Sequence, residues 1–368
     1  MRTVLAESRP PGCPNSQTFC RPKLGFLGAD GTGKTRLEAI ARSGVADITA
    51  IADPVPELAA KAARTFPEAA VLTSLDDLVE VGVDGIVIAT PSALRAEQAT
   101  AALERGMAIF CARSPGRTAT EVRRVVDAAR AADRLMGIDL PYRSRFRKIH
   151  DLCQHGELGE IFAVDLVFHS APELAATWFC DSTSGGGCVM DLGFHLLDLA
   201  LWNLNFPRIA NATSHLFARG NTFQSHRDAA EDDALAQLDL ENGTTIKLAC
   251  SWKLPTGCGA IISASFYGTK GGAALQNVNG SLDEFSAARF HGSRRETIAC
   301  TSQTWSGLAA IDWAERLANG ERFSNDIEHL THTMTAMDAI YAGAARVPDV
   351  FPADSNQSFS LSQSIEAT

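Results

Sequence analysis

No two cysteines of this chain stand in a C-x-x-C spacing, although it has nine, at 13, 20, 111, 153, 180, 188, 250, 258 and 300. An odd and scattered set excludes a disulfide framework and a cysteine-based zinc site. His150, His155, His169, His215 and His226 show no metal-ligand spacing either, so no metal is expected. No apolar run approaches ~18 residues, so no membrane span is expected. Basic charge is short: the net charge is −10 and the pI about 5.4. That balance excludes general binding to nucleic acid. Lysine is scarcest, with 7 lysines against 26 arginines. Residues 1–22 lack the apolar core of a signal peptide, so a cytoplasmic location is expected. No internal repeat is visible.

What is present suits two domains. The 368 residues exceed what one core usually serves, and 45% are apolar. The chain is organised around residues 24–53, LGFLGADGTGKTRLEAIARSGVADITAIAD. Residues 24–27 read as a buried parallel strand. A glycine-rich turn follows, then a helix with Leu37, Ile40 and Ala41 on one face, ended by Gly44. Residues 48–52 give a second apolar strand that stops on Asp53. This is the length of a strand–helix–strand unit.

Two motifs overlap in the turn. In the dinucleotide fingerprint G-x-G-x-x-G, Gly28 is the first glycine and Gly33 the third, with Asp30 in the second place. Asp53, twenty residues past Gly33, sits where a ribose-binding carboxylate is expected. In the P-loop G-x-x-x-x-G-K-[ST], Gly28, Gly33, Lys34 and Thr35 all match. Both rest on free N–H donors and the positive end of a helix dipole. The turn alone leaves the two open.

The rest of the first half alternates strand and helix. Helices are expected over 56–65, 75–81, 97–104 and 118–132, and strands over 70–72, 85–89, 108–111 and 135–138. Repeated strand–helix units imply a doubly wound parallel sheet. Thr90-Pro91 follows a buried strand, where ligands bind in open α/β sheets. After residue 141 the pattern changes. Residues 146–153 and 192–202 read as helices, and 161–169, 234–240, 244–252, 260–267 and 272–278 as strands. Glu241-Asn242-Gly243 is a hairpin signal. Residues 305–318 and 326–345 return to helix. The expected architecture is an α/β chain: a Rossmann domain over 23–141, then an α+β domain over 142–350 with an open, mostly antiparallel sheet. Residues 1–22 are an extension and 351–368 a flexible tail.

With both halves in view, the chain resembles the glucose–fructose oxidoreductase / inositol dehydrogenase / MocA-type (Gfo/Idh/MocA) family. The carriers are LGFLGADGTG with AIADP, IVIATPSALRAEQATAALERGMAIFCA, RFRKIHDLCQHGELGEIFAVDLVFH and, most specific, GGGCVMDLGFHLLDLALW at 185–202. The resemblance implies an oxidoreductase that uses NAD or NADP to move a hydride to or from a sugar-like, cyclitol or related small molecule. It settles the turn as dinucleotide-binding. It implies cofactor contacts from Gly28, Asp30, Gly31, Thr32, Gly33, Asp53, Thr90, Pro91 and Arg95. Asp53 favours NAD over NADP, because an acid repels a 2′-phosphate. It also implies a homodimer or homotetramer joined through the C-terminal sheet, with the strands at 234–278 as the interface.

The expected chemistry centres on Asp191-x-x-x-His195, two side chains four residues apart on one helix face. His195 is the candidate general base, and Asp191 orients it or binds a hydroxyl. The family typically carries Glu-Lys-Pro after the strand ending near Cys111. Here Ala112, Arg113 and Ser114 stand there, and arginine cannot give up its proton as lysine does. Arg113 is therefore expected to supply fixed positive charge. Arg95 likewise stands where the family's T-P-x-x-x-H pattern has histidine. Tyr142, Arg143 and Trp178 are candidate substrate contacts, with Arg95, Arg113 and Arg143 admitting an anionic substrate. The missing lysine motivates one alternative, a non-redox lyase, isomerase or cyclase built on His195, Arg113 and Asp191. The P-loop match motivates another, phosphoryl transfer with Lys34.

Overall fold

The computed structural model describes residues 21–29, 31–140, 142–143, 146–171, 186–223, 229–301 and 307–344. Residues 1–20 of the expected extension at 1–22, the tail at 351–368, Asp30 and Trp178 lie outside the described residues.

The first sheet has six strands: β1 Lys23–Leu27, β2 Asp47–Ala52, β3 Ala70–Leu72, β4 Gly85–Ile88, β5 Ala108–Cys111 and β6 Met136–Ile138. Every pair is parallel, in the order β3-β2-β1-β4-β5-β6. The order reverses between β1 and β4, which opens a crevice at their carboxyl ends. β4 and β5 are buried along their whole length, as their unbroken apolar runs require. The connecting helices are α1 Thr32–Ser43, α2 Pro56–Ala63, α3 Leu75–Glu80, α4 Ser92–Glu104 and α5 Ala119–Ala132. Ser74 caps α3 in a reciprocal capping box with Asp77, and Thr118 caps α5 through Glu121 N–H. α4 starts five residues earlier than its periodicity suggests. Pro91 stands at its N-cap, so the helix begins as soon as the proline turn ends.

The second sheet has nine strands: β7 Ile161–Ser170, β8 Ile209–Ala218, β9 Asn221–Thr222, β10 Asp233–Leu240, β11 Thr245–Ser251, β12 Ala260–Gly268, β13 Gly272–Asn277, β14 Phe285–His291 and β15 Arg294–Thr301. Their order is β15-β14-β13-β12-β7-β11-β10-β8-β9. β7 pairs parallel with β11, and the other neighbours are antiparallel. Glu241-Asn242-Gly243 does join β10 to β11. β8, β9, β14 and β15 have no counterpart in the sequence reading. Their polar and charged residues, as in β15 RRETIACT, dilute the apolar alternation that marks β10.

α6 Arg147–Gln154, α7 Phe194–Asn203 and α9 Leu330–Ala344 belong to this half. α7 is buried at eight of its ten residues. Phe162, Leu235, Ile261 and Tyr267, on β7, β10 and β12, remain exposed.

The helix α8 Leu308–Ala318, which the sequence reading sets within 142–350, packs against the first sheet. Ala310, Trp313 and Ala314 share a core with Leu24, Phe26, Ile51, Val87 and Phe110. The Trp313 ring lies 5.7 Å from that of Phe110. It covers Gly85 and Gly137, where a Cβ would stand 2.9 and 2.6 Å from the indole. The small residues of β4 and β6 therefore make room for a large side chain that sequence periodicity cannot assign to either domain. Trp313→Ala is expected to cost about 3–5 kcal/mol, the usual range for a buried aromatic. Urea unfolding of the full chain measures it. A cost below about 1 kcal/mol would contradict this docking role.

Candidate active site

The turn after β1 is shaped by two glycines. Gly28 has φ +95°, and a Cβ there would meet the Ala89–Thr90 backbone at 2.9 Å. A Cβ on Gly33 would stand 2.2 Å from the Gly28 carbonyl oxygen. Gly31, with φ +45°, precedes the first residue of α1, Thr32, and nothing lies within 4 Å of its missing side chain. The turn is thus pressed onto the end of β4 on one side. A helix N-terminus reached by backbone without side chains is what a pyrophosphate needs. Gly28 and Gly33 stand at the first and third glycine positions of the fingerprint pattern.

Asp53 is buried beneath this turn. One carboxylate oxygen accepts from Ala29 N–H and the other from Val55 N–H, each at 2.9 Å. The residue expected at a ribose also holds the turn in shape. Lys34 turns away. Its side chain is half exposed and pairs with Glu38 at 3.7 Å along α1. A P-loop lysine must fold back over its phosphates, so this geometry does not support phosphoryl transfer.

Thr90 and Pro91 follow β4 at the same carboxyl edge. Arg95 does not reach out from α4. It is fully buried and donates to the Thr90 carbonyl at 2.7 Å and the Ser114 carbonyl at 2.8 Å. Burial and the charge of Arg36 bring its pKa down to about 10. The expected cofactor contact is corrected to a tie between the loops after β4 and β5.

Arg113, after β5, reaches the second domain. Its guanidinium pairs with the Asp191 carboxylate, and both side chains are mostly buried. Asp191 sits in a π-helical turn, Val189–Gly193, that leads directly into α7. Such turns often mark functional sites, because they re-aim side chains. Asp191 also accepts from the Trp252 indole N–H at 3.2 Å. It therefore meets Arg113 and Trp252 rather than orienting the imidazole, as the four-residue spacing suggested.

His195 lies one turn on. Its ring packs edge-on against Tyr142 at 6.1 Å and Phe194 at 5.6 Å. Nδ1 has no hydrogen-bond partner among the described residues. Burial, then the positive charges of Arg113 and Arg36, depress its pKa to about 3. The imidazole is therefore neutral and can accept a proton. Arg113 itself is brought down to about 9 by burial and by Arg36 and Arg95, and stays charged at neutral pH. Arg36 of α1 comes close because it pairs with Asp139, just after β6.

Tyr142 is buried in an aromatic group with Phe146 and Phe285, beside His195. Arg143 faces elsewhere. It grips Asp198 with two bonds of 2.7 and 2.6 Å, and lies over the rings of Trp202 and Phe206. Thr333 donates to the same carboxylate at 3.1 Å. The expected substrate contact is corrected to an internal ion pair. Arg36, Asp139 and Trp252 went unnoticed in the sequence. Each is a lone residue in an ordinary context, and only the fold brings them to the site.

Two family descriptions match the chain. The oxidoreductase family with an NAD-binding Rossmann fold matches residues 23–140, and the GFO/IDH/MocA C-terminal domain matches residues 146–274. The rhizopine catabolism protein MocA of Rhizobium meliloti is 27% identical over 329 residues, 83% of this chain and 96% of that protein. The D-glucoside 3-dehydrogenase of Escherichia coli is 26% identical over 211 residues, 54% of this chain and 60% of that protein. A levoglucosan dehydrogenase in complex with NADH superposes with a TM-score of 0.74 at 20% identity, covering 89% of this chain and 98% of that one. A 3-ketoreductase from Actinomadura kijaniata, in complex with NADP and TDP-benzene, gives 0.75 at 18%, covering 88% and 98%. Nothing in these comparisons supports the non-redox alternative. With its two domains, its glycine-shaped turn and the residues gathered at the sheet edge, the chain belongs to the GFO/IDH/MocA family and is an NAD(P)-dependent oxidoreductase.

Proposed function

We propose that this chain oxidises a secondary hydroxyl of a neutral sugar, sugar derivative or cyclitol, with NAD preferred to NADP. We propose further that it does so in the cytoplasm, as a homodimer or homotetramer joined through the exposed strands of the second sheet. One observation carries the reading. A neutral imidazole with an unpartnered nitrogen stands beside an ion pair that joins the second domain to the crevice edge.

The cofactor fits the residues present. The N-terminus of α1, at Thr32 and Gly33, would hold the pyrophosphate on backbone N–H groups, and Asp53 the adenine ribose. The nicotinamide, when bound, supplies the hydride acceptor. His195 is the group placed to take the hydroxyl proton, since burial and the neighbouring guanidinium groups keep its imidazole neutral before the cofactor and substrate bind. Arg113 provides fixed positive charge where negative charge develops on the substrate oxygen. Asp191, held by Trp252 and Arg113, offers a carboxylate oxygen to a neighbouring hydroxyl. Tyr142 limits the space behind the imidazole. Arg113 and Arg143 each face a carboxylate, so a neutral polyol suits the site better than an anionic substrate.

Titration with NADH, followed by nicotinamide fluorescence, is expected to show saturable binding at least about tenfold tighter than for NADPH. No binding of either at millimolar concentration would overturn the reading. With NAD and a panel of glucosides, anhydrosugars and inositols, His195→Gln is expected to lower kcat by about 10²–10⁴-fold. NADH affinity should stay within about twofold. Equal loss of both would place His195 in folding rather than chemistry. The His195 ring signal in an NMR titration is expected to stay in its neutral position down to about pH 5. The unfolded chain takes up this proton below the ordinary value of 6.5, the folded chain only near 3. The His195 contribution to stability is therefore full above 6.5 and is lost as pH falls from there towards 3. A ring that titrates near 6.5 would contradict the burial argument.

A further inference from the structure

Behind the π-helical turn lies a carboxylic acid that the chemistry above does not use. Glu231 is fully buried, just before β10. Its Oε1 accepts from Val189 N–H at 3.1 Å and from the Tyr341 hydroxyl of α9 at 2.8 Å. Its backbone carbonyl accepts from Cys188 N–H at 2.9 Å. Its Oε2 has no hydrogen-bond partner among the described residues. The carboxyl fills the place of a side chain on Gly187, whose φ is +141° and whose Cβ would stand 2.3 to 2.5 Å from the two oxygens. The last glycine of Gly185-Gly186-Gly187 is thus required by an acid inside the protein as well as by any ligand outside it.

We infer that Glu231 is the positioning residue for Asp191. Its carboxylate anchors the first N–H of the π-helical turn to α9, and so sets where the Asp191 side chain meets Arg113 and Trp252. The inference rests on the site proposed above, but it concerns the geometry of that site and not its turnover.

A buried acid with one oxygen doubly bonded and the other bare is poised between two states. Ionised, it binds the Val189 N–H and Tyr341 O–H strongly, because bonds to a charged acceptor are about twice as strong as neutral ones. Protonated on Oε2, it holds them less well. Burial raises its pKa to about 7, against the lowering by the Tyr341 hydroxyl and the Val189 N–H. Several groups face this cluster. Tyr341 comes from α9, and its own pKa is raised by burial and by Glu231. Cys188 precedes the turn and Cys250 comes from β11, with sulfurs 3.8 Å apart. Asp232 and Asp233 follow Glu231 in the chain, and Asp233 acts on His169 of β7. Burial, the largest influence on Cys188 and His169, favours their neutral forms.

Trp252 reports on Asp191 directly, through the indole N–H bond of 3.2 Å. In the full chain with ¹⁵N-labelled tryptophan, the Trp252 indole resonance is identified by its loss in Trp252→Phe. We expect it to shift with a midpoint near pH 7. In Glu231→Gln, which keeps the Oε1 acceptor but cannot ionise, the resonance should stay constant from about pH 6 to about pH 8. In Tyr341→Phe, which removes a donor to the charged form, the midpoint should move up. A wild-type resonance with no midpoint in that range overturns the inference. So does a midpoint that persists in Glu231→Gln, which would assign it to His169. If Glu231→Gln does not fold, an unmoved midpoint in Tyr341→Phe overturns it as well. None of these readings needs a substrate. An absence of NADH binding would remove the proposed function and leave this titration standing, and the reverse also holds.

Discussion

The ion pair between Arg113 and Asp191 is the contact on which the site depends. Arg113 leaves the end of β5 in the dinucleotide domain, and Asp191 leads into α7 of the second. Taking two charges largely out of water is costly, and the attraction between them repays it only with good geometry and further hydrogen bonds. Trp252 supplies one such bond to Asp191. Removing either partner would leave an uncompensated charge at the joint between the domains. The pair is therefore a device for placement more than a source of stability. It brings a carboxylate, a guanidinium and an imidazole to the carboxyl edge of the first sheet, where the strand order reverses.

The electrostatics of the cleft follow from that placement. Arg36, Arg95 and Arg113 gather under one low-dielectric roof, with Asp139 and Asp191 as their counter-charges. Burial first, and then the positive charge of Arg113 and Arg36, keeps His195 neutral. A lysine at the position of Arg113 would be pushed by the same burial and neighbours towards losing its proton. Arginine resists that pressure and stays charged, which separates the task of holding charge from the task of moving a proton. In the proposed mechanism the first falls to Arg113 and the second to His195.

Much of the architecture was legible because it follows from periodicity. The buried runs of β1, β4 and β5, the capped helices between them and the Glu241-Asn242-Gly243 hairpin each carry a local signal. What was missed has no local signal. β8 and β15 carry polar residues whose neighbours decide their pairing, and α8 docks on a distant sheet through Trp313. The site shows the same division. Gly28, Gly33 and Asp191 stand in motifs with a mechanical reason for their spacing. Arg143 looked like a binding residue because its charge was visible and its partner Asp198, fifty-five positions away, was not. Glu231 was invisible for the same reason. The glycine that accommodates it, Gly187, could be read, but the acid behind it could not.

The central claim is that the two domains build one site around the Arg113–Asp191 pair. A crystal structure of the complex with NAD tests it most directly. The account predicts the pyrophosphate on the backbone N–H groups at the start of α1 and the nicotinamide ring in contact with Arg113 and His195. A crevice closed by the protein's own side chains, or a nicotinamide ring turned away from that pair, would contradict it.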